Sequence, residues 1–181
     1  MAESKLRVKP VTPSTWADME LLFEARGSPK YCWCMAWRAM ENRSSSTPAD
    51  RKNALHERVR QRKPIGLLGY LDGEPVAWCS VAPRDSYLPL SDRQDDGESG
   101  VWSVVCFFVR REHRSEGLTA KMLEAALQLA RKRGATVVEG YPVDPDSPSY
   151  RYMGFVKLFR AQDFEAAGKA GTRRHVMRRE L

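Results

Sequence analysis

The stretch "VRREHRSEGLT", residues 109–119, carries the residue types that bind an anion. A helix N-terminus leaves several backbone N–H groups without partners, and its aligned peptide dipoles place about half a positive charge there. Phosphates settle at such ends when the chain lacks bulk at the point of contact. Gly117 supplies that clearance, Arg114 adds a fixed cation, and Ser115 and Thr119 bring hydroxyl groups. The chemistry implied is capture of a diphosphate from a nucleotide-like cofactor. The same residues also suit a solvated turn, and the stretch is neither G-x-G-x-x-G nor G-x-x-x-x-G-K-S/T, so the dinucleotide and nucleoside triphosphate patterns lose their main support.

The elements that must position this turn are legible on both sides of it. "VWSVVCFFV" (101–109) is an almost continuous apolar run, expected for a central strand covered on both faces. After the turn, Leu118, Met122, Leu123, Ala126, Leu127 and Ala130 form one stripe at helical spacing, and "RKRG" supplies basic residues and a glycine at the C-terminal end. "ATVVEGYPV" (135–143) reads as a second buried strand, so strand, helix and strand imply a parallel pair. Farther on, "DPDSPSYRYMGF" predicts a short helix, "FVKLF" a strand and "RRHVMRREL" a last strand, with "AAGKAG" (166–171) as connector.

Upstream, "LRVKPV" (6–11) predicts a strand. A helix follows it, capped by Thr12 or Ser14, carrying Trp16, Met19, Leu22 and Phe23 at helical spacing and stopped by Gly27. "KYCWCMAWRAMENR" (30–43) is dense in aromatic and sulfur side chains without clean periodicity and predicts a buried irregular segment or a short helix lining a cavity. Thr47, Pro48 and Asp50 open a surface helix that ends by Pro64 and turns Ala54, Leu55 and Val59 inward. Asp72-Gly73 sits between two β-rich runs (65–83) as a tight hairpin turn, and residues 84–100 read as a long acidic loop.

The chain of 181 residues fits one domain, with its core motifs in 101–159. It has no apolar run near the ~20 residues of a membrane span and no apolar leader, so a cytoplasmic protein is expected. Cys32, Cys34, Cys79 and Cys106 are then expected as free thiols, and the C-x-C pair has no second pair or His cluster at zinc-ligand spacing, so no metal is expected. The net charge of +7 attracts anions in general. Its basic residues are spread along the chain, and no aromatic-plus-basic pattern calls for nucleic acid.

Residues 109–123, with Arg114-Ser115-Glu116-Gly117-Leu118-Thr119, resemble the acetyl-CoA pyrophosphate loop of the GNAT acetyltransferase superfamily, Q/R-x-x-G-x-G/A; Thr119 departs from its small last residue. "SYRYMGF" (149–155) resembles the same superfamily's L-Y-x-x-x-G-F signature through Tyr150, Gly154 and Phe155. The resemblance implies an α/β fold with a mixed central sheet and a splayed parallel strand pair flanked by helices. It further implies acetyl-CoA as cofactor and acetyl transfer to a primary amine by direct attack. The cofactor would be held by Phe107, Phe108, Val109, residues 114–119 and Tyr150, with the pantetheine arm between "CFFV" and "VVEGYP", the acetyl carbonyl near residues 105–108, and amides around Phe108 as oxyanion donors. Tyr150 matches the tyrosine that in many members points at the coenzyme sulfur, and a phenol can protonate the departing thiolate. Its alternative is packing against the helix.

The base is less determined. Glu139 can face the cleft, and Asp95, Asp96 and Glu98 lie in the acidic loop. Ser103 and Cys106 read as core residues of the central strand; His113 reads as solvent-facing, and His56 and His175 show no partner in sequence. Tyr31, Trp33 and Trp37 are candidates for lining an acceptor pocket, with core packing as their alternative. The acceptor is a small-molecule or protein amine. A homodimer is compatible with the sequence, and a coenzyme A-binding regulatory domain with weak or no turnover is the rival reading.

Overall fold

The computed structural model describes residues 5–92 and 96–181. Seven strands form one sheet: β1 (Arg7–Pro10), β2 (Gly66–Leu71), β3 (Glu74–Pro83), β4 (Val101–Val109), β5 (Val137–Gly140), β6 (Glu165–Ala170) and β7 (Arg174–Glu180), in the order β1-β2-β3-β4-β5-β7-β6. Every neighbouring pair is antiparallel except β4 and β5, which run parallel across the helical crossover. The helices are α1 (Trp16–Glu24), α2 (Pro48–Arg60), α3 (Leu118–Lys132) and α4 (Val156–Arg160). Among the described residues no helix is long and apolar enough to cross a membrane.

Local chemistry explains the boundaries. At the start of α2 the Thr47 side chain accepts from the Asp50 N–H, and the Asp50 carboxylate accepts from the Thr47 N–H at 2.7 Å, a reciprocal box behind Pro48. Asp72 and Gly73 take positive φ (49° and 89°), which lets β2 turn directly into β3. All six apolar residues of the α3 stripe are buried. They meet Leu67, Val76, Cys79, Val81, Trp102, Val104, Phe107, Val138 and Phe159 in the core on one face of the sheet. On the other face, α1, α2 and residues around Trp33 and Met35 cover β2 and β3, while Tyr87, Leu90, Tyr141 and Met153 cover β4, β5 and β7.

Four sequence expectations change. "FVKLF" is not a strand: residues 156–160 close a turn of helix whose Phe159 lies under Gly140, leaving no room there for a Cβ. The supposed connector at 166–171 belongs to β6, an edge strand of small, mostly exposed residues with a register shift between Ala166 and Gly168. The strand read over 135–143 is only Val137–Gly140, because Pro142 two residues later has no N–H to continue a ladder. His175 and His56 have partners: His175 Nε2 lies 3.0 Å from Asp144, and the His56 ring stacks on Trp16 at 4.4 Å.

Candidate active site

The site begins where β4 and β5 part. Their parallel register runs from Val101↔Val137 to Val104↔Gly140 and stops. On its other side β4 pairs Cys106 with Ser80 but Val104 with Val81, so Val105 is an extra residue. Such a bulge bends the strand, and here it falls one residue beyond the last β5 pair. Cys106–Val109 continue β4 with no β5 partner, and this break in the sheet between the two strands is the slot.

Which groups face the slot follows from the ladder. The Arg110 N–H donates to the Val76 carbonyl at 2.9 Å, and the register Ala77↔Val109 to Ser80↔Cys106 is unbroken. Hydrogen-bonded pairs alternate along an antiparallel ladder, so the backbone of Cys106, Phe108 and Arg110 bonds β3 while that of Phe107 and Val109 points into the slot. Of the amides around Phe108 expected as oxyanion donors, the ladder turns those of Phe107 and Val109, and not that of Phe108 itself, towards the slot. The Val109 carbonyl already accepts from Arg114 Nε at 3.1 Å, which ties the guanidinium to the mouth of the slot.

At that mouth Ser115 and Gly117 adopt left-handed φ of 70° and 72°, and Gly117 is the N-cap of α3. No side chain caps this helix and no acidic residue occupies its first turn. A Cβ at Gly117 would meet no atom within 4 Å, so the space beside the turn is clear at this residue. Glu116 leans to His113 (3.4 Å), and Thr119 is half-buried. Beside the turn a groove of about 910 Å³ is lined by Arg26, Gly27, Phe108, Arg110, Arg111 and Arg114 among others. Four arginines against a single acid, Glu112, make it strongly attractive to phosphate. Arg26 has no part in the motif that marks the turn; only the folding of the α1 end onto β4 brings it there.

Tyr150 stands on the same side of the sheet as the Val105 cluster, half-buried, with φ 59°. Its ring centroid lies 6.4 Å from both Trp37 and Tyr152, and Trp37 Nε1 donates to the Tyr152 hydroxyl at 3.1 Å. Arg174 lies over Trp37 and Tyr150 at 4.5 and 5.2 Å. Of the three aromatic residues proposed for the acceptor, only Trp37 joins this group. Trp33 is a correction: it is 2% exposed and packs on Trp16 and Phe23. Tyr31 is another, 68% exposed and lying near Lys30. Arg174 and Tyr152 were not picked out from sequence. The period-two pattern of "RHVMRRE" does place Arg174 on the buried face of Val176.

Glu139 does not suit the role of base. It is fully buried, with its carboxylate bonded by Arg84 at 3.2 Å, by Arg178 and by the Tyr141 hydroxyl at 2.8 Å. Burial and Glu139 together push the Tyr141 hydroxyl well above its ordinary range. Asp96 pairs with Arg84 at 2.6 Å and Glu98 with Arg178 at 2.6 Å, so these carboxylates staple the acidic loop to the sheet. Asp95 lies outside the described residues. Ser103 donates to or accepts from Tyr141 inside the core. The irregular segment carries a second buried arginine, Arg38, which donates to the Cys34 and Ile65 carbonyls, Ser80 and Tyr87. The Cys106 thiol and the Arg38 cation hold the Cys34 thiol well below its ordinary range, while Cys106 is raised. All four cysteines are free thiols.

The acetyltransferase (GNAT) family model matches residues 30–155 of this chain. The chain belongs to the GNAT acetyltransferase family. Acetyl-CoA is the usual cofactor of that family, and the uncapped helix, clear Gly117 and diverging strands fit it. An uncharacterized N-acetyltransferase of Archaeoglobus fulgidus is 29% identical over 104 residues, 58% of this chain and 66% of that relative, just under two thirds of its length. Among solved structures, the aminoglycoside acetyltransferase AAC(6')-Ib with coenzyme A superposes with TM-score 0.64 at 14% identity over 97% of this chain and 95% of that one. A ribosomal-protein-alanine N-acetyltransferase from Brucella melitensis gives 0.59 at 19% identity over 97% and 99%. A PaiA N-acetyltransferase from Thermoplasma acidophilum with coenzyme A gives 0.58 at 9% identity over 98% and 99%. At these identities the likeness is one of fold: a mixed sheet with one parallel pair, flanked by helices.

Proposed function

We propose that the protein transfers an acetyl group from acetyl-CoA to a primary amine by direct attack. The observation that carries this is the open amide-lined end of α3 at Gly117, set at the mouth of the slot between β4 and β5. Leu118, Thr119 and the Gly117 backbone, with Ser115, Glu116 and Arg114 around them, would hold the diphosphate, and the Phe107–Val109 edge would hold the pantetheine arm. The bound cofactor supplies a thioester carbonyl activated for attack.

The roles of the chain's own groups follow from where they stand. Inward amides at Phe107 and Val109 would donate to the acyl oxygen as negative charge grows on it, and fixed dipoles need no rearrangement at that moment. The Tyr150 hydroxyl would give its proton to the departing sulfur. Glu139, Asp96 and Glu98 are each taken up by arginine, so the amine attacks in its neutral form and its proton leaves through water.

Calorimetric titration with coenzyme A comes first, followed by thiol release from acetyl-CoA with a panel of amines. Amine-dependent release faster than hydrolysis is expected. Coenzyme A binding without release for any amine would favour a regulatory binding domain, and no binding would remove the reading altogether.

A further inference from the structure

Three arginines are buried on the sheet face that carries Tyr150, and they are not alike. Arg38 spends its donors on two carbonyls, Ser80 and Tyr87. Arg84 is neutralised by Glu139 and Asp96. Arg174 is nine-tenths buried yet has one hydrogen-bond acceptor, the Leu90 carbonyl at 2.9 Å, and no carboxylate pairs with it among the described residues. Asp144 pairs with His175, the next residue along the strand and on the opposite face, and Glu139 is taken up by Arg84 and Arg178.

Removing a guanidinium from water is costly unless an anion or several acceptors replace the lost hydration. Among the described residues Arg174 has no anion and a single acceptor. Burial pushes its pKa down, the reverse of paired Arg84 and Arg178. Trp37 and Tyr150, with ring centroids 6.4 Å apart, flank its guanidinium at 4.5 and 5.2 Å as adjacent walls of a corner. These two walls and the Leu90 carbonyl restrict where the guanidinium can sit. Its remaining donors are not sealed in, since the only buried unpartnered side-chain donor among the described residues is Trp78 Nε1. A planar fork held this way matches a carboxylate, which accepts two parallel N–H bonds.

We infer that Arg174 is the carboxylate receptor of the acceptor site, so that the preferred acceptor is an amino acid whose amine lies within a few bonds of its carboxylate. This rests on the acetyltransferase reading, because Tyr150 defines where the amine must arrive. A cation of this kind repels ammonium groups elsewhere on an acceptor, which disfavours polyamines and other multiply charged amines. The half-buried Trp37 and partly exposed Tyr152, hydrogen-bonded to each other, are the solvent-reaching members of this group, and a ligand would approach past them.

The test uses matched pairs, each common amino acid against its C-terminal amide, titrated into the coenzyme A-bound protein with tryptophan fluorescence and calorimetry as readouts. At least one amino acid is expected to bind tenfold or more tightly than its amide. R174Q should bring that ratio to within threefold of unity while coenzyme A affinity stays within threefold of the parent, and R174K should keep part of the preference. If coenzyme A binds and no acid differs from its amide, or if R174Q leaves the preference intact, the assignment of Arg174 is wrong and the acetyltransferase reading survives. Should coenzyme A itself fail to bind, both fall together. The comparison of pairs on the unaltered protein needs no variant, so a poorly folded R174Q does not obscure it.

Discussion

Replacing Gly117 by glutamate separates the phosphate turn's chemistry from its structure. Gly117 sits at φ 72°, where an L side chain costs about 1–2 kcal/mol. A Cβ there touches nothing within 4 Å, so no packing is disturbed. Destabilisation should therefore stay near that figure, a melting-temperature drop of about 2–4 °C per kcal/mol for a chain of this length. The effect on the ligand is far larger. A carboxylate about 4 Å from a phosphate charge, at an effective dielectric of about 20, repels it by about 4 kcal/mol, or roughly 10³-fold in affinity. Gly117→Ala carries the same backbone strain without the charge and calibrates it, with an affinity loss of about tenfold or less. Coenzyme A binding by calorimetry and unfolding by circular dichroism give both numbers. A folded Gly117→Glu protein that binds coenzyme A within threefold of the parent would refute the diphosphate site.

Tyr150→Phe should lower kcat by about 10²-fold and leave coenzyme A affinity within threefold, as steady-state rates and calorimetry will report; an unchanged kcat removes the phenol from the chemistry. Glu139→Gln strips the charge from between Arg84 and Arg178 and should cost about 3–5 kcal/mol in urea unfolding; full stability with lost turnover would restore Glu139 as a base. For Cys34, the lowered folded-state pKa means the native state binds fewer thiol protons than the unfolded chain. Its contribution is therefore complete above the unfolded value of about 8.5 and shrinks as pH falls through the lowered one. Urea midpoints of the parent and Cys34→Ser should converge as pH drops from 8 towards 5, and a constant difference would show that the thiol is not ionised.

Sequence carried the strand–turn–helix at 101–132 because each signal there is long or redundant: a nine-residue apolar strand, a six-residue stripe and a glycine turn in register. It could not sort the aromatics of "YCWCMAWRAM". Trp33 and Cys34 take left-handed φ of 44° and 52°, so the chain reverses locally and no period says that Trp33 enters the core while Trp37 reaches Tyr150. Glu139 was unreadable for another reason. β5 has only four residues, all buried, so alternation marks no face, and its partners Arg84 and Arg178 stand 55 and 39 residues away. The five residues of α4 are too few for a period, and the small residues of β6 imitate a linker. Arg174 was half legible: alternation put it inside, but only the fold shows that no carboxylate among the described residues pairs with it.

The extra residue at Val105 gives this protein an unusual kind of strand edge. Exposed edges invite other chains, and sheets normally guard them with charge, proline or a covering loop. Here the unpaired rim lies between two strands of one continuous sheet, shielded by its own neighbours. An extended molecule with amide groups of its own can complete it as an interior partner, while a flat second sheet is denied the approach. The same one-residue offset that spoils one ladder thus turns an aggregation hazard into a berth for a single slender guest.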